Sequence, residues 1–175
     1  MDGGASVSAP LRLELEFASE GALREFAEEV GGCVGGGEVF ALAGPLGAGK
    51  TVFAQSLARG AGVPASTPVT SPTFVLHRRY AGRVAIEHLD AYRLRSARDL
   101  EALGVGELIE GGGVTVVEWA DRVAEVFPAH TVWIELDVTG PCSRRMRVRI
   151  PGCARPPGLA RLRALGAARA ARRGP

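Results

Sequence analysis

The sequence predicts an α/β fold of three layers, in which helices cover a mainly parallel central sheet that carries one β-hairpin. Patterns typical of strands and of helices alternate through most of the chain, as they do in layered α/β proteins. The length of 175 residues suits a single domain with one core, and no internal repeat is visible. An apolar content of 46% is enough to form that core.

The first elements are a strand, a helix, a second strand and a second helix. Residues 11–17 alternate apolar and polar side chains, as a half-buried strand does. Ser19 occupies an N-cap position, and apolar residues then recur at helical spacing until Gly31. Residues 38–43 have the apolar character of a buried strand, and we expect the next helix over about residues 50–59.

Shorter elements follow a loop rich in glycine, proline, serine and threonine. Residues 73–80 and 84–89 are strand-like and are joined by a turn, so we expect a hairpin. A capping box that begins at Ser96 predicts a short helix ending near Gly104. The last expected elements are strands at 114–117, 131–138 and 146–150, and a weakly patterned helix between Leu159 and Arg172.

Charge divides the chain into two parts. Residues 1–137 carry 11 basic and 19 acidic side chains, a net charge of −8, whereas residues 138–175 carry 10 arginines and no acid. We therefore expect a folded domain over residues 1–150 and a basic Arg/Ala/Pro-rich C-terminal tail over residues 151–175. The tail is either a solvated extension or a contact site for RNA or for an acidic partner surface.

Composition also indicates where the protein works. No apolar run approaches the roughly 20 residues that a membrane span needs, and the N-terminus lacks the basic and apolar regions of a secretion signal. We therefore expect a cytoplasmic protein that does not contact a membrane. The three cysteines include no closely spaced pair of the kind that binds zinc, so we interpret them as reduced and structural.

One segment has the Walker A pattern of phosphate-binding loops, and it stands between a predicted buried strand and a predicted helix. Glycines let backbone N–H groups surround phosphate oxygens, and the helix N-terminus attracts the same anions. The lysine, which is the chain's only one, would reach the β and γ phosphates, and the threonine hydroxyl would ligate Mg²⁺. The segment consists of Gly44, Pro45, Leu46, Gly47, Ala48, Gly49, Lys50 and Thr51.

Two carboxylates follow predicted strands. Asp90 ends the run VAIEHL and Glu118 ends VTVV, so both should emerge at the carboxyl edge of the sheet, where open α/β sheets bind ligands. In P-loop enzymes such a carboxylate holds Mg²⁺ or positions the attacking water. The residues alone leave open which of the two is the metal ligand.

Three further features allow two interpretations each. A hydroxyl in the segment 71–73 would suit a γ-phosphate sensor, or the segment is only a proline-stiffened loop. His77 and His88 are expected to be structural, although His88 shares its side of the strand with Asp90 and would reach the site. Trp119 either packs in the core or lies beside the nucleotide or a partner.

Four segments together support a family resemblance. The chain carries GPLGAGKT at 44–51, SPTF at 71–74, HLDAYRL at 88–94 and VEWADR at 117–122. With these motifs in this order, it resembles the bacterial TsaE family, also called YjeE, over about residues 11–150. That family consists of small P-loop ATPases that act in making threonylcarbamoyladenosine in tRNAs that read codons beginning with A.

The resemblance implies roles for individual residues. The phosphate cradle would be the loop from Gly44 to Thr51, in which Pro45 replaces a commonly acidic residue. Thr51 and Glu118 would hold Mg²⁺, and Asp90 would be needed for ATP turnover. Ser71, Pro72 and Thr73 would form a mobile switch segment in which Thr73 assists catalysis. The segment around Ser19 and Glu20 would lie near the nucleotide base.

The resemblance also implies partners. The chain would be an energy-coupling ATPase, weak alone, that binds the TsaB–TsaD complex and supports modification of position 37 of tRNA, which it would contact only indirectly. A GTPase is disfavoured, because the chain contains no asparagine for the guanine-binding motif of that class. Two alternatives remain: a small-molecule kinase, and a nucleotide-gated adaptor without significant turnover.

Overall fold

The computed structural model of the protein describes residues 9–153, 156 and 158–171. Within these residues the strands are β1 (Leu11–Phe17), β2 (Val39–Ala43), β3 (His77–Tyr80), β4 (Ile86–Asp90), β5 (Val114–Glu118), β6 (Val132–Val138) and β7 (Arg144–Ile150). The helices are α1 (Glu20–Cys33), α2 (Lys50–Gly60), α3 (Ala97–Glu101), α4 (Val105–Glu110) and α5 (Gly158–Ala171), and a kinked 3₁₀ segment spans Ala120–Val126.

The strands form one sheet in the order β1-β7-β6-β2-β5-β4-β3. The four central strands, β6, β2, β5 and β4, are parallel, whereas β3, β7 and β1 pair antiparallel at the two sides. The expected α/β class, the mainly parallel centre and the hairpin formed by β3 and β4 are therefore confirmed. Parallel strands place their carboxyl ends at one edge, which is where the phosphate-binding segment begins.

Apolar side chains cover both faces of the sheet, because the central strands are buried along their length and successive side chains of a strand point to opposite faces. On one face, Phe40 and Leu42 of β2 pack in a cluster with residues of α1, α2 and α5. On the other face, Ala41 of β2 and Val117 of β5 pack against α3, α4 and the 3₁₀ segment. The result is the expected three-layer arrangement, with the sheet as the middle layer.

Helix α1 shows how the local sequence determines the packing. Ser19 caps it, since its Oγ accepts a hydrogen bond from the backbone N–H of Ala22 at 3.1 Å. The helix packs closely on α2, and Gly31 makes this approach possible, because a Cβ there would lie 2.1 Å from the Leu57 carbonyl oxygen. The C-terminal end of α2, which follows the phosphate-binding segment, is thus held against α1.

The structure differs from expectation after the long loop. Residues 73–76 were expected to begin a strand, but they form a turn, and β3 starts only at His77. This segment is not extended, because the Thr73 hydroxyl bonds to the Asp90 carboxylate and Leu76 adopts a left-handed φ of 65°. The sequence analysis also missed the 3₁₀ segment and α4, which are too short for a clear periodic pattern.

The C-terminal region, expected as a tail, contributes a helix to the fold. Helix α5 buries Leu159 and Leu162 in the core, which confirms the weakly patterned helix. Its first residue, Gly158, donates its backbone N–H to the buried carboxylate of Glu38 at 2.9 Å. The prediction that the N-terminus lacks a secretion signal concerns residues 1–8, which lie outside the described residues. So do parts of the expected tail, namely residues 154, 155, 157 and 172–175. None of the described helices is long and apolar enough to cross a membrane.

Candidate active site

The Walker A segment connects the end of β2 to the start of α2, as the sequence predicted. Gly44 and Gly49 have left-handed φ values of 128° and 105°. A Cβ at Gly44 would lie 2.1 Å from the Leu136 carbonyl oxygen, and one at Gly49 would lie 2.9 Å from Leu23 Cδ2. The packing and the backbone conformation of the loop therefore require glycine at both positions, whether or not a phosphate is bound.

Lys50 lies inside the loop rather than in solvent, with only 4% of its surface exposed. Its ammonium donates hydrogen bonds to the carbonyl oxygens of Gly44 at 2.6 Å and Pro45 at 2.9 Å. The Trp119 ring lies over it, 3.6 Å from Nζ to the ring centroid. Burial lowers the pKa of Lys50 below the ordinary 10.5, while nearby carboxylates, that of Glu118 first, act in the opposite direction.

Glu118 forms the centre of a buried polar chain. Thr51, in the first turn of α2, donates from Oγ1 to Glu118 Oε2 at 2.7 Å. His88, in the middle of β4, lies with Nε2 2.9 Å from the other oxygen, Oε1. Glu118 and His88 are 2% and 1% exposed, respectively, so both oxygens of the carboxylate are satisfied by protein groups away from bulk solvent.

Asp90 lies beside Glu118, because β4 and β5 pair in parallel register at these two residues. Its Oδ2 accepts hydrogen bonds from the hydroxyls of Ser71 and Thr73, both at 2.6 Å. Its Oδ1 accepts the backbone N–H of Tyr92 at 2.8 Å. The structure thus brings the hydroxyls of the segment 71–73 and the strand-end carboxylate into direct contact.

Aromatic side chains surround this group on its outer side. Trp119, which follows Glu118 with a left-handed φ of 58°, is half-buried and lies between Lys50 and the Tyr92 ring, whose centroid is 5.0 Å away. Phe74 is 81% exposed, and the guanidinium of Arg93 lies 4.7 Å from its ring centroid. Trp119 therefore packs at the mouth of the site and also contacts the core.

These groups line a cavity of about 360 Å³ at the carboxyl edge of the sheet. That volume lies within the range of ligand pockets in proteins. Of the residues expected at the site, those that line it are Leu46, Gly47, Gly49, Lys50, Thr51, Ser71, Thr73, Asp90, Glu118 and Trp119. The acidic, basic and hydroxyl groups of the predicted site therefore converge on one cavity.

Other expected residues lie nearby in structural positions. Ser19 caps α1, and the residue after it, Glu20, lines the cavity. Pro45 accepts hydrogen bonds at its carbonyl oxygen from Lys50 and from the backbone N–H of Ala48, the latter at 3.2 Å. These contacts close the turn of the loop.

The sequence analysis missed Arg144, the first residue of β7. Its guanidinium lines the cavity and donates to the Gly47 carbonyl oxygen at 3.1 Å. No motif includes Arg144, and the antiparallel pairing of β7 with β6 and β1 brings it to the loop. A single sequence contains no local signal for this contact.

Comparisons with known proteins agree with the motifs. Residues 17–146 match the family model of TsaE, described as threonylcarbamoyl adenosine biosynthesis protein TsaE. The protein named tRNA threonylcarbamoyladenosine biosynthesis protein TsaE in Treponema pallidum (strain Nichols) is 44% identical over 112 residues, 64% of this chain and 82% of that protein. Its namesake in Aquifex aeolicus (strain VF5) is 32% identical over 136 residues, 77% of this chain and 94% of that protein.

A solved structure supports the fold. The crystal structure of YdiB from Bacillus subtilis superposes with a TM-score of 0.73 at 26% identity, over 90% of this chain and 97% of that chain. The shared architecture therefore extends over nearly the whole of both chains.

Proposed function

The chain belongs to the TsaE family, which acts in tRNA threonylcarbamoyladenosine biosynthesis, and on this premise we propose that its site binds ATP with Mg²⁺ and hydrolyses it. The observation that carries the proposal is the meeting of Lys50, Thr51, Glu118 and Asp90 around one cavity at the end of the parallel strands. Together these four side chains supply what phosphoryl transfer requires: a cation, a hydroxyl and two carboxylates.

The loop residues supply phosphate binding. The N-terminus of α2 begins at Lys50 and presents its unpaired backbone N–H groups and its positive dipole to an anion. The Lys50 ammonium needs only to exchange its bonds to the Gly44 and Pro45 carbonyl oxygens for bonds to phosphate oxygens. Arg144, which donates to the Gly47 carbonyl oxygen of the same loop, adds a second positive charge to the lining of the cavity.

Thr51 and Glu118 fit a magnesium ion. A hydroxyl and a carboxylate are oxygen donors of the type that Mg²⁺ prefers, and Thr51 Oγ1 and Glu118 Oε2 lie 2.7 Å apart, a separation compatible with two neighbouring ligands of one small cation. When bound, Mg²⁺ neutralises negative charge that develops on the phosphates. The two side chains then orient the triphosphate relative to the loop.

Asp90 is assigned to turnover. Its carboxylate holds the Ser71 and Thr73 hydroxyls, so it links the strand end to the segment that would sense the γ-phosphate. Rearrangement of these bonds on ATP binding would free one oxygen of Asp90 to accept a hydrogen bond from the attacking water. Because the free chain holds Asp90 in these bonds, we expect slow hydrolysis without a partner.

The proposed partner is the TsaB–TsaD complex. With it, the chain would support the formation of threonylcarbamoyladenosine at position 37 of tRNAs that read codons beginning with A. Exposed apolar side chains next to the cavity suit a protein contact: Leu46 is 87% exposed and Phe74 is 81% exposed. Phe74 adjoins Thr73, so a partner that binds it would act directly on the hydroxyl bonded to Asp90. This connection explains how a partner would stimulate turnover.

The test is ATP hydrolysis by the purified chain, alone and with the TsaB–TsaD pair, with GTP in parallel. We expect slow, Mg²⁺-dependent hydrolysis of ATP that the pair accelerates, and loss of ATP binding in Lys50→Ala. Phosphate transfer to a small molecule would favour a kinase instead. Full support of tRNA modification by Asp90→Ala would favour a nucleotide-gated adaptor and refute the assigned turnover.

A further inference from the structure

His88 is a buried histidine whose ring forms one hydrogen bond with the residues that the structure describes. Its Nε2 lies 2.9 Å from Glu118 Oε1, and because a carboxylate oxygen accepts hydrogen bonds, Nε2 carries the proton and donates. The other ring nitrogen, Nδ1, has no hydrogen-bond partner among the residues that the structure describes. The hydrogen-bonding capacity of the ring is therefore directed at Glu118.

Glu118 is held from two sides by this arrangement. His88 donates to Oε1 from strand β4, and Thr51 donates to Oε2 from helix α2. The terminal torsion of a glutamate has only weak preferences of its own. Without the His88 bond, the Glu118 carboxylate would be held only by Thr51 and would rotate more freely about its terminal torsion. The lone pairs not used by Thr51 would then have no fixed direction.

The position of the imidazole is itself fixed by packing. Tyr80 lies against it with ring centroids 6.4 Å apart, and Tyr80 is only 5% exposed. The Tyr80 hydroxyl donates to the Thr70 carbonyl oxygen at 3.2 Å, which anchors the ring at the base of the segment 71–73. A rigid support of this kind gives a donor a defined direction.

We propose that His88 is a positioning residue that aims the Glu118 carboxylate at the Mg²⁺ site next to Thr51. The inference rests on the proposed function and names the residue that sets the metal ligand's orientation. Glu118 borders the cavity, whereas His88 is buried on the protein side of the same carboxylate, so it acts through Glu118 and does not touch the nucleotide. Partners of this kind raise metal affinity by orienting the ligand.

Three variants separate positioning from mere support of the core. His88→Phe keeps a planar ring of similar shape and removes the donor. His88→Gln places an amide donor near the position of Nε2 and should restore the bond in part. Thr115→Val is the matched control, since Thr115 is fully buried on β5 and its hydroxyl has no hydrogen-bond partner in the described part of the chain.

The measurement is calorimetric binding of a non-hydrolysable ATP analogue, with Mg²⁺ and with a chelator, together with the melting temperature. We expect His88→Phe to weaken Mg²⁺-dependent binding by about 10-fold or more, and to leave metal-free binding within about twofold of wild type. His88→Gln should recover part of the loss, and Thr115→Val should bind as wild type does. Unchanged Mg²⁺ dependence in a folded His88→Phe overturns the proposal, and so does a loss that His88→Gln fails to relieve.

A measurement on the metal-free wild type covers the case in which His88→Phe does not fold. Nitrogen-15 spectra of the three histidines should show one ring that is protonated at Nε2 and slow to exchange with solvent, and Glu118→Ala should accelerate that exchange. Equal exchange in both proteins overturns the proposal. If wild type itself shows no Mg²⁺-dependent nucleotide binding, the proposed function fails and removes the premise of the inference, a result distinct from failure of the variants alone.

Discussion

Replacing Glu38 by alanine tests whether the basic C-terminal region belongs to the folded domain. Glu38 precedes β2 and is fully buried, and its carboxylate accepts backbone N–H groups of Gly35, Gly36 and Gly158. Gly158 begins α5, and a Cβ there would lie 2.2 Å from Glu38 Oε1, so the fit of helix to carboxylate is tight. The variant removes the acceptor that holds the start of the helix.

The magnitude follows from these bonds. A hydrogen bond to a charged group contributes about 1.5–3 kcal/mol, and a buried donor left without a partner costs about 1–3 kcal/mol. Only the Gly158 bond is fully buried, because Gly35 and Gly36 are partly exposed and can bond to water instead. We therefore expect a loss of about 2–4 kcal/mol in the free energy of unfolding, which corresponds to roughly 5–15 °C in Tm for a chain of this size.

The assay combines thermal unfolding with nucleotide binding at 25 °C. Glu38 lies at the opposite end of β2 from Gly44, so ATP affinity should stay unchanged while Tm falls. The exposed Glu25 of α1 provides the control, since Glu25→Ala should alter stability by less than about 0.5 kcal/mol. An unchanged Tm in Glu38→Ala, or a loss of ATP affinity as large as the loss of stability, would refute the reasoning.

Three further predictions concern the cavity. Lys50 is the only lysine, and burial lowers its pKa, so its amine should react with an amine-specific reagent at a lower pH than free lysine does, and Mg²⁺-ATP should protect it, as peptide mass mapping would show. Glu118→Gln should raise the Mg²⁺ concentration needed for half-maximal hydrolysis by about 10-fold. Asp90→Asn should instead lower kcat by about 100-fold with little change in that Mg²⁺ concentration. Equal effects of the two variants on kcat and on the Mg²⁺ concentration would contradict the separate roles. Gly44→Ala should fail to fold stably because of its 2.1 Å clash with backbone, whereas Gly47→Ala, whose Cβ meets open space, should lose about 1–2 kcal/mol in denaturant unfolding.

The positions of the Walker A segment and of the two strand-end carboxylates in the fold could be predicted from local rules. The Walker A segment is contiguous, and its position between a buried strand and a helix follows from the hydrophobic pattern. Asp90 and Glu118 were found because each ends a strand, and the carboxyl ends of parallel strands share an edge. Neither conclusion required knowledge of how distant segments meet.

The contacts that the sequence did not predict join distant segments. Arg144 reaches Gly47 because of the register of β7, and Glu38 reaches Gly158 across 120 positions of the chain. The turn at 73–76 was expected as a strand, because the apolar residues Phe74 and Val75 suggested burial, yet both are exposed. Their conformation is set by the bond from Thr73 to Asp90, which overrides local preference.

The hydrogen-bond donors of the two carboxylates, rather than the register of β4 and β5, support the different roles proposed for them. Asp90 and Glu118 are paired neighbours at the same edge, so position along the strands does not distinguish them. Their hydrogen-bond donors do: Glu118 is bonded to the loop threonine and a rigid histidine, whereas Asp90 is bonded to two hydroxyls of a loop segment. A fixed carboxylate suits a metal ligand, which needs one geometry, and a carboxylate held by a loop suits a group that exchanges partners during turnover. The proposed division, with the metal at Glu118 and the water at Asp90, therefore follows from which donors can move.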